Sequence, residues 1–232
     1  MKTNSSLIST YRWPGVIDNL AAKQKVALQV AALLKDGDVF GAGSGSTSYV
    51  TIQALGSRVQ TEGLRCMAIP TSQEMKLACA SLGIPVTSLW EHSPDWCFDG
   101  ADEVDPAMNL IKGRGGAMFR EKLVMRASAR SLILIDPSKR VNTLGHIFPV
   151  PVEVHPLALT VVEKALRQLG AGEVVLRLGK GKDGPVVTEN DHFILDARFA
   201  DIGPGLERDL KSITGVLETG LFQGFSVELF VA

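Results

Sequence analysis

An α/β fold built on a mostly parallel sheet, followed by a smaller α+β domain, is what this sequence predicts. Three observations carry the prediction. Short apolar runs alternate with helical patterns up to about residue 135; glycine loops sit where a run gives way to a helix; and the texture changes near Val150. In order, NLAAKQKVALQVAALL (19–34) has apolar residues at helical spacing and KDGD closes it in a turn. DVF then leads through Gly41, Gly43 and Gly45 to Ser46, Thr47 and Ser48, which can cap a helix running to about Leu55. LRCMAIP reads as a strand, TSQEMKLACASLG as a helix closed by Gly83, IPVTSL as a strand, and DWCFDGAD as a strand ending in an acidic loop. A second glycine loop, KGRGGA, precedes a helix over about 117–129 and the strand SLILI. Beyond Val150 come a strand and helix in PVPVEVHPLALTVVEKALRQLG, then the strands GEVVLRLG and HFILDARF around the turn KGKDGP. The last stretch, from DLKSITG onward, reads as a short helix and two strands that can return to the first sheet. The domain expectation is therefore 1–147 with 208–232 returning to it, and 148–207 as the small domain.

Composition narrows the function. With 45% apolar residues and a net charge of −1 the chain can bury a core, but it has no basic block to neutralise phosphates of a nucleic acid. A small-molecule partner is expected instead. No apolar run nears the ~20 residues that span a bilayer, and the polar start MKTNSSLIST lacks a secretory signal's apolar core, so no membrane partner and a cytoplasmic location are expected. Cys66, Cys79 and Cys97 have no CxxC spacing and read as reduced, half-buried thiols, while the four histidines lack the pairing of a zinc helix. No metal is expected.

Two segments carry candidate chemistry. GAGSGSTS (41–48) offers unhindered amides, hydroxyls and a helix N-terminus, which suit an anion. It has no lysine after Gly45 and misses the dinucleotide fingerprint, and a tight turn relieved by glycine is the plainer alternative. In CFDGADEVD four carboxylates fall within seven residues and repel one another unless a partner takes up their charge. Their spacing fails the calcium-loop pattern. Glu103 and Asp105 read as a solvated rim; Asp99 and Asp102, directly behind WCF, read as a strand end facing a cleft, where partial desolvation suits proton transfer. Lys112 opens KGRGGA, and Glu121 follows on the next helix. A lysine beside aspartates can stabilise an oxyanion and a glutamate can shuttle a proton, although each taken singly can equally be an ordinary surface charge.

GSGST, DGADEVD, IKGRGGA, REKLV, DPSK and FPVPVEVHP, in this order, closely resemble type A ribose-5-phosphate isomerase, over a stretch from about Lys23 to GLF near residue 222. The resemblance implies a Rossmann-like large domain, a smaller α+β domain of ferredoxin-like type, a homodimer or homotetramer, and no cofactor. It implies an aldose–ketose isomerase that interconverts ribose 5-phosphate and ribulose 5-phosphate in the pentose phosphate pathway. By motif, Glu121 matches the base that moves a proton between C2 and C1. Asp99, Asp102 and Lys112 match the groups that open the ring, position oxygens and steady negative charge. The sugar-phosphate contacts map to Ser44, Gly45, Ser46 and Thr47, to Lys139 of DPSK, to Lys23, and to the loop Gly113, Arg114, Gly115 and Gly116. Arg114 departs from a loop that is often all glycine, and it leaves another aldose phosphate open as substrate. A sugar-phosphate-sensing module of a regulator is a different class; the roughly twenty residues before Lys23 are too few for a DNA-binding helix-turn-helix. A coenzyme A transferase would need its catalytic glutamate in another loop.

Overall fold

The computed structural model describes residues 6–232. The expectation drawn from the polar start MKTNSSLIST falls in part, over residues 1–5, outside the described residues. The elements are α1 (Ser6–Ser9), α2 (Leu20–Ala31), β1 (Val39–Ala42), α3 (Gly45–Glu62), β2 (Met67–Pro70), α4 (Gln73–Ser81), β3 (Trp96–Gly100), β4 (Glu103–Val104), β5 (Leu110–Ile111), α5 (Met118–Ala127), β6 (Ser131–Ile135), β7 (Val150–Val154), α6 (Leu159–Gln168), β8 (Ala171–Leu176), β9 (Phe193–Phe199), α7 (Leu206–Lys211), β10 (Val216–Thr219), β11 (Leu221–Phe222) and β12 (Glu228–Val231). They group into two units. The first holds the chain up to Gly100, Arg120–Ser138 and Ser226–Ala232; the second holds Ala101–Phe119 and Lys139–Phe225.

Unit one is a five-stranded, all-parallel sheet in the order β12-β6-β3-β1-β2. Its strands are apolar runs without alternation, as expected where helices cover both faces. Phe40, Trp96 and Phe98 stack across β1 and β3 and join Val26, Val30, Ile52, Leu55 and Met75 in the core. Gly41 is required there, because a Cβ would sit 2.2 Å from Cγ1 of Val124 on α5 and 2.6 Å from Cβ of Cys97. The order reverses between β1 and β3, so their carboxyl ends, Ala42 and Gly100, flank the switch point where such sheets bind ligands.

Several expectations for unit one change in detail. α3 does not stop near Leu55: Gly56 gives close approach to Leu82 rather than a break, and the helix ends at Gly63, whose φ of 67° is a left-handed cap. IPVTSL forms only a single bridge, Val86 to Ala68, because Pro85 has no N–H to extend the ladder and a turn begins at Ser88. The cysteines are buried rather than half-buried, and burial pushes the Cys66 thiol up to about 11 and that of Cys79 to about 12. Ahead of α2, Trp13 packs its ring 5.5 Å from Tyr49, with Tyr11 edge-on to the same ring.

Unit two contains the antiparallel sheet β10-β7-β9-β8. Read as β7-α6-β8-β9-α7-β10, this is the βαββαβ order of a ferredoxin-like domain. Val150, Val152 and Val154 pack with Val162, Leu166 and Leu210 of its helices. This topology moves the boundaries drawn from sequence: α7 and β10 complete the small domain, so it does not end at 207, and only β12 of the last strands joins the parallel sheet. Residues 101–119 and 139–147 also belong here, since β4, β5 and β11 form a sheet of their own and Val141 bonds to Val104.

Candidate active site

In unit one the 43–48 loop, Lys23 and Asp99 gather at the switch point. Gly43 donates its N–H to the carbonyl of Phe98 at 2.9 Å, and a Cβ there would stand 2.2 Å from Cγ of Asp99 and 2.6 Å from the Phe98 oxygen. No side chain fits. Ser44 is the N-cap of α3 in extended conformation, but its hydroxyl bonds Thr71 at 2.7 Å instead of capping. Gly45 turns the chain at φ 86° and directs its N–H toward a Glu74 carboxylate oxygen at 3.3 Å. Ser46, Thr47 and Ser48 are thus in the first turn of α3 rather than its caps. The ammonium of Lys23 donates to Ser46 Oγ at 2.8 Å, which places a cation beside the positive end of a helix. Thr47 lies against Gly100, where a Cβ would be 3.9 Å from its own.

Asp99 is the last residue but one of β3 and is 3% exposed. Its Oδ1 accepts from the Gly100 N–H at 2.8 Å and, more weakly, from the Ser48 hydroxyl at 3.4 Å. Glu121 is 6% exposed in the first turn of α5, where the helix dipole favours a carboxylate. A buried acid on rigid helix backbone can keep one position through a reaction.

Unit two holds the other group. Lys112 is 3% exposed; its N–H donates to Gly220 O at 2.9 Å, and its ammonium sits 5.7 Å from the centre of the Phe222 ring. Gly113 (φ 98°) and Gly116 (φ 80°) form the turn that follows, closed by the Gly116 N–H on Gly113 O at 3.0 Å. Gly116 approaches Ile194 Cδ1, 3.1 Å from where a Cβ would be, whereas the Cβ position of Gly115 is open. Asp102 is half-buried and accepts the Arg114 N–H at 3.1 Å. The guanidinium of Arg114 and the ammonium of Lys139 lie 5.9 Å and 5.1 Å from the centre of one ring, that of Phe148.

Glu103 overturns the reading of a solvated rim. It is fully buried, and its two oxygens accept three backbone N–H groups, from Gly145 and Ile147 at 2.6 Å and Phe148 at 2.7 Å. A buried carboxylate persists because it satisfies an otherwise unpaired loop. Asp105 is half-buried and structural too, bonding the N–H and side-chain amide of Asn109. Sequence reasoning missed Phe148 and Arg177, both tied to this region through tertiary contacts; only the position of Phe148 within FPVPVEVHP gave any sign.

The family model for ribose 5-phosphate isomerase A (phosphoriboisomerase A) matches residues 67–232. The chain belongs to that family. A ribose-5-phosphate isomerase A of Methanothermobacter thermautotrophicus is 48% identical over 88% of this chain and 90% of its own. The solved structure of the Methanocaldococcus jannaschii protein of the same name superposes with a TM-score of 0.88 at 42% identity, covering 92% of this chain and 95% of that one. Another D-ribose-5-phosphate isomerase, solved in complex with phospho-erythronic acid, gives 0.88 at 36% identity over 94% and 95% of the two chains. The chain is thus an enzyme of the aldose–ketose isomerase class with the α/β fold of its family. Among the described residues no helix is long and apolar enough to cross a membrane.

Proposed function

We propose that the enzyme interconverts D-ribose 5-phosphate and D-ribulose 5-phosphate through an enediolate, without a cofactor, in the non-oxidative branch of the pentose phosphate pathway. The phosphate is held by the amides and hydroxyls of Ser44, Gly45, Ser46 and Thr47 with Lys23, and Lys139 adds positive charge. Asp99 and Asp102 assist ring opening and orient the hydroxyls. In the open-chain aldose, the Glu121 carboxylate removes the proton on C2. Its electron pair forms the C1–C2 double bond, and the carbonyl electrons move to O1, where negative charge is steadied by Lys112 and the amides of Gly113 to Gly116. The O2 hydroxyl proton passes to O1; the C1–C2 double-bond pair then takes the proton back from Glu121 to form the second C1–H bond, and the O2 lone pair closes the ketone at C2.

The observation that carries the reading is the buried Glu121 in the first turn of α5, an acid positioned on rigid backbone in a chain of this family. That a relative was solved with a phosphorylated sugar acid agrees with sites for a phosphate and a second anionic oxygen. Glu121→Gln is expected to abolish isomerisation while leaving ribose 5-phosphate binding within a few fold; undiminished turnover would remove Glu121 from the mechanism. Turnover measured across ribose, arabinose, allose and xylose phosphates tests the substrate, for Arg114 offers donors to a different sugar. We also propose a cytoplasmic homo-oligomer, a dimer first, for which sedimentation would give twice the 24.9 kDa chain mass.

A further inference from the structure

We propose that Arg177 and Asp196 are positioning residues that set the peptide orientation of the 112–116 loop, an inference that rests on the catalytic reading of Lys112 and that loop. Arg177 follows β8, with its backbone N–H on Ile194 O at 2.9 Å and its carbonyl accepting from Val186 at 2.9 Å. Its guanidinium faces two ways. Nε donates to one Asp196 oxygen at 2.8 Å and Nη2 donates to the other, a bidentate fork with both side chains less than one-fifth exposed. Nη1 donates to the carbonyls of Gly113 at 2.8 Å and Arg114 at 2.9 Å.

Those two bonds decide more than where the loop lies. In a trans peptide the C=O and the next N–H point in opposite directions. Drawing the Gly113 carbonyl to Arg177 turns the Arg114 N–H the other way, and there it meets Asp102 at 3.1 Å. Drawing the Arg114 carbonyl to Arg177 likewise turns the Gly115 N–H away from the guanidinium. Gly113 and Gly116, both at positive φ, place no conformational barrier against a flipped loop, so an outside clamp is needed to select one orientation. Arg177 supplies that clamp, Asp196 aims it, and the result is a preset amide beside Lys112.

The experiment compares Arg177→Met, Arg177→Lys and Asp196→Asn in the full enzyme, with ribose 5-phosphate turnover and hydrogen exchange as readouts. Arg177→Met is expected to lower kcat by roughly tenfold to a hundredfold, the scale of a small misplacement, with KM within about threefold. Exchange should rise over 113–116 and not elsewhere. Arg177→Lys should recover part of kcat, and Asp196→Asn should show a smaller loss in the same direction; it also serves if Arg177→Met fails to fold. Unchanged kcat in Asp196→Asn and in any folded Arg177 variant overturns the proposal, as does exchange that rises evenly across the chain. Lys112→Met separates the two readings. If it turns over normally, the catalytic reading of the loop fails and this inference falls with it; if it is inactive while the Arg177 variants are not, only the inference falls.

Discussion

The glycine loop of unit one and the glycine loop of unit two look alike in sequence and are built differently. The first, 43–47, takes its shape from its immediate surroundings: a strand end, a helix N-terminus, and contacts so close to Phe98 and Asp99 that only glycine fits at 43. The second, 112–116, makes one short turn of its own and is otherwise fixed from outside, by Gly220, Asp102 and Arg177. A loop of the first kind is held between its own strand and helix and packed directly on the adjacent strand β3. One of the second kind depends on groups up to 108 residues away in sequence, from Lys112 to Gly220, and is correspondingly sensitive to distant substitutions.

Substitutions in each loop test whether this difference in support matters to turnover. The largest effect is expected from Lys112→Met, which should reduce kcat by about 10²–10³-fold, as loss of an oxyanion donor does, while thermal stability changes little. Gly43→Ala comes next: it forces Asp99 and the Phe98 carbonyl apart, should cost about 1–3 kcal/mol by denaturant titration, and should lower turnover as Asp99 moves. Gly220→Ala tests the outside clamp. A Cβ there would meet the Lys112 carbonyl at 2.2 Å, so kcat should fall although residue 220 lies outside both glycine loops. If kcat is unchanged while Gly43→Ala is damaged, the loops differ less than their contacts indicate. Lys23→Met should raise KM by about tenfold with kcat nearly intact, the loss of one charge-assisted contact worth about 1.4 kcal/mol.

The smallest effect concerns the thiols. Burial raises the folded pKa of Cys66 to about 11 and of Cys79 to about 12, above the ~8.5 of a free thiol. The unfolded chain therefore releases those protons first, and the stabilisation present below about pH 8.5 is lost as pH rises toward 11 and 12. At pH 8 iodoacetamide should leave both thiols of the native enzyme unmodified and label them in urea; rapid native labelling would show the unit-one core to be open.

The candidate site's residues could be named before any fold was known. Asp99 and the 43–47 loop stood out because strand, glycine and helix are local signals, and the structure puts both at strand ends next to the sheet's switch point. Glu103 was misread because its neighbours in sequence are acidic and polar, whereas the three amides that bury it come from residues 145–148. The small domain's end was misplaced for a similar reason: a ferredoxin-like sheet puts its first strand in the middle, so β10 pairs with β7 across 62 residues, from Val154 to Val216.

Local patterns alone were enough to read the alternation of strands and helices, the division into two parts, and which residue types are candidates for holding a phosphate and moving a proton. Those follow from periodicity, from backbone freedom at glycine and from side-chain chemistry, which are properties of short stretches. The tertiary structure decided which carboxylates are buried, which glycines tolerate nothing larger, and which arginine orients the loop beside Lys112. Burial and hydrogen-bond pairing are set by groups far apart along the chain, and they exist only once those groups have been brought together.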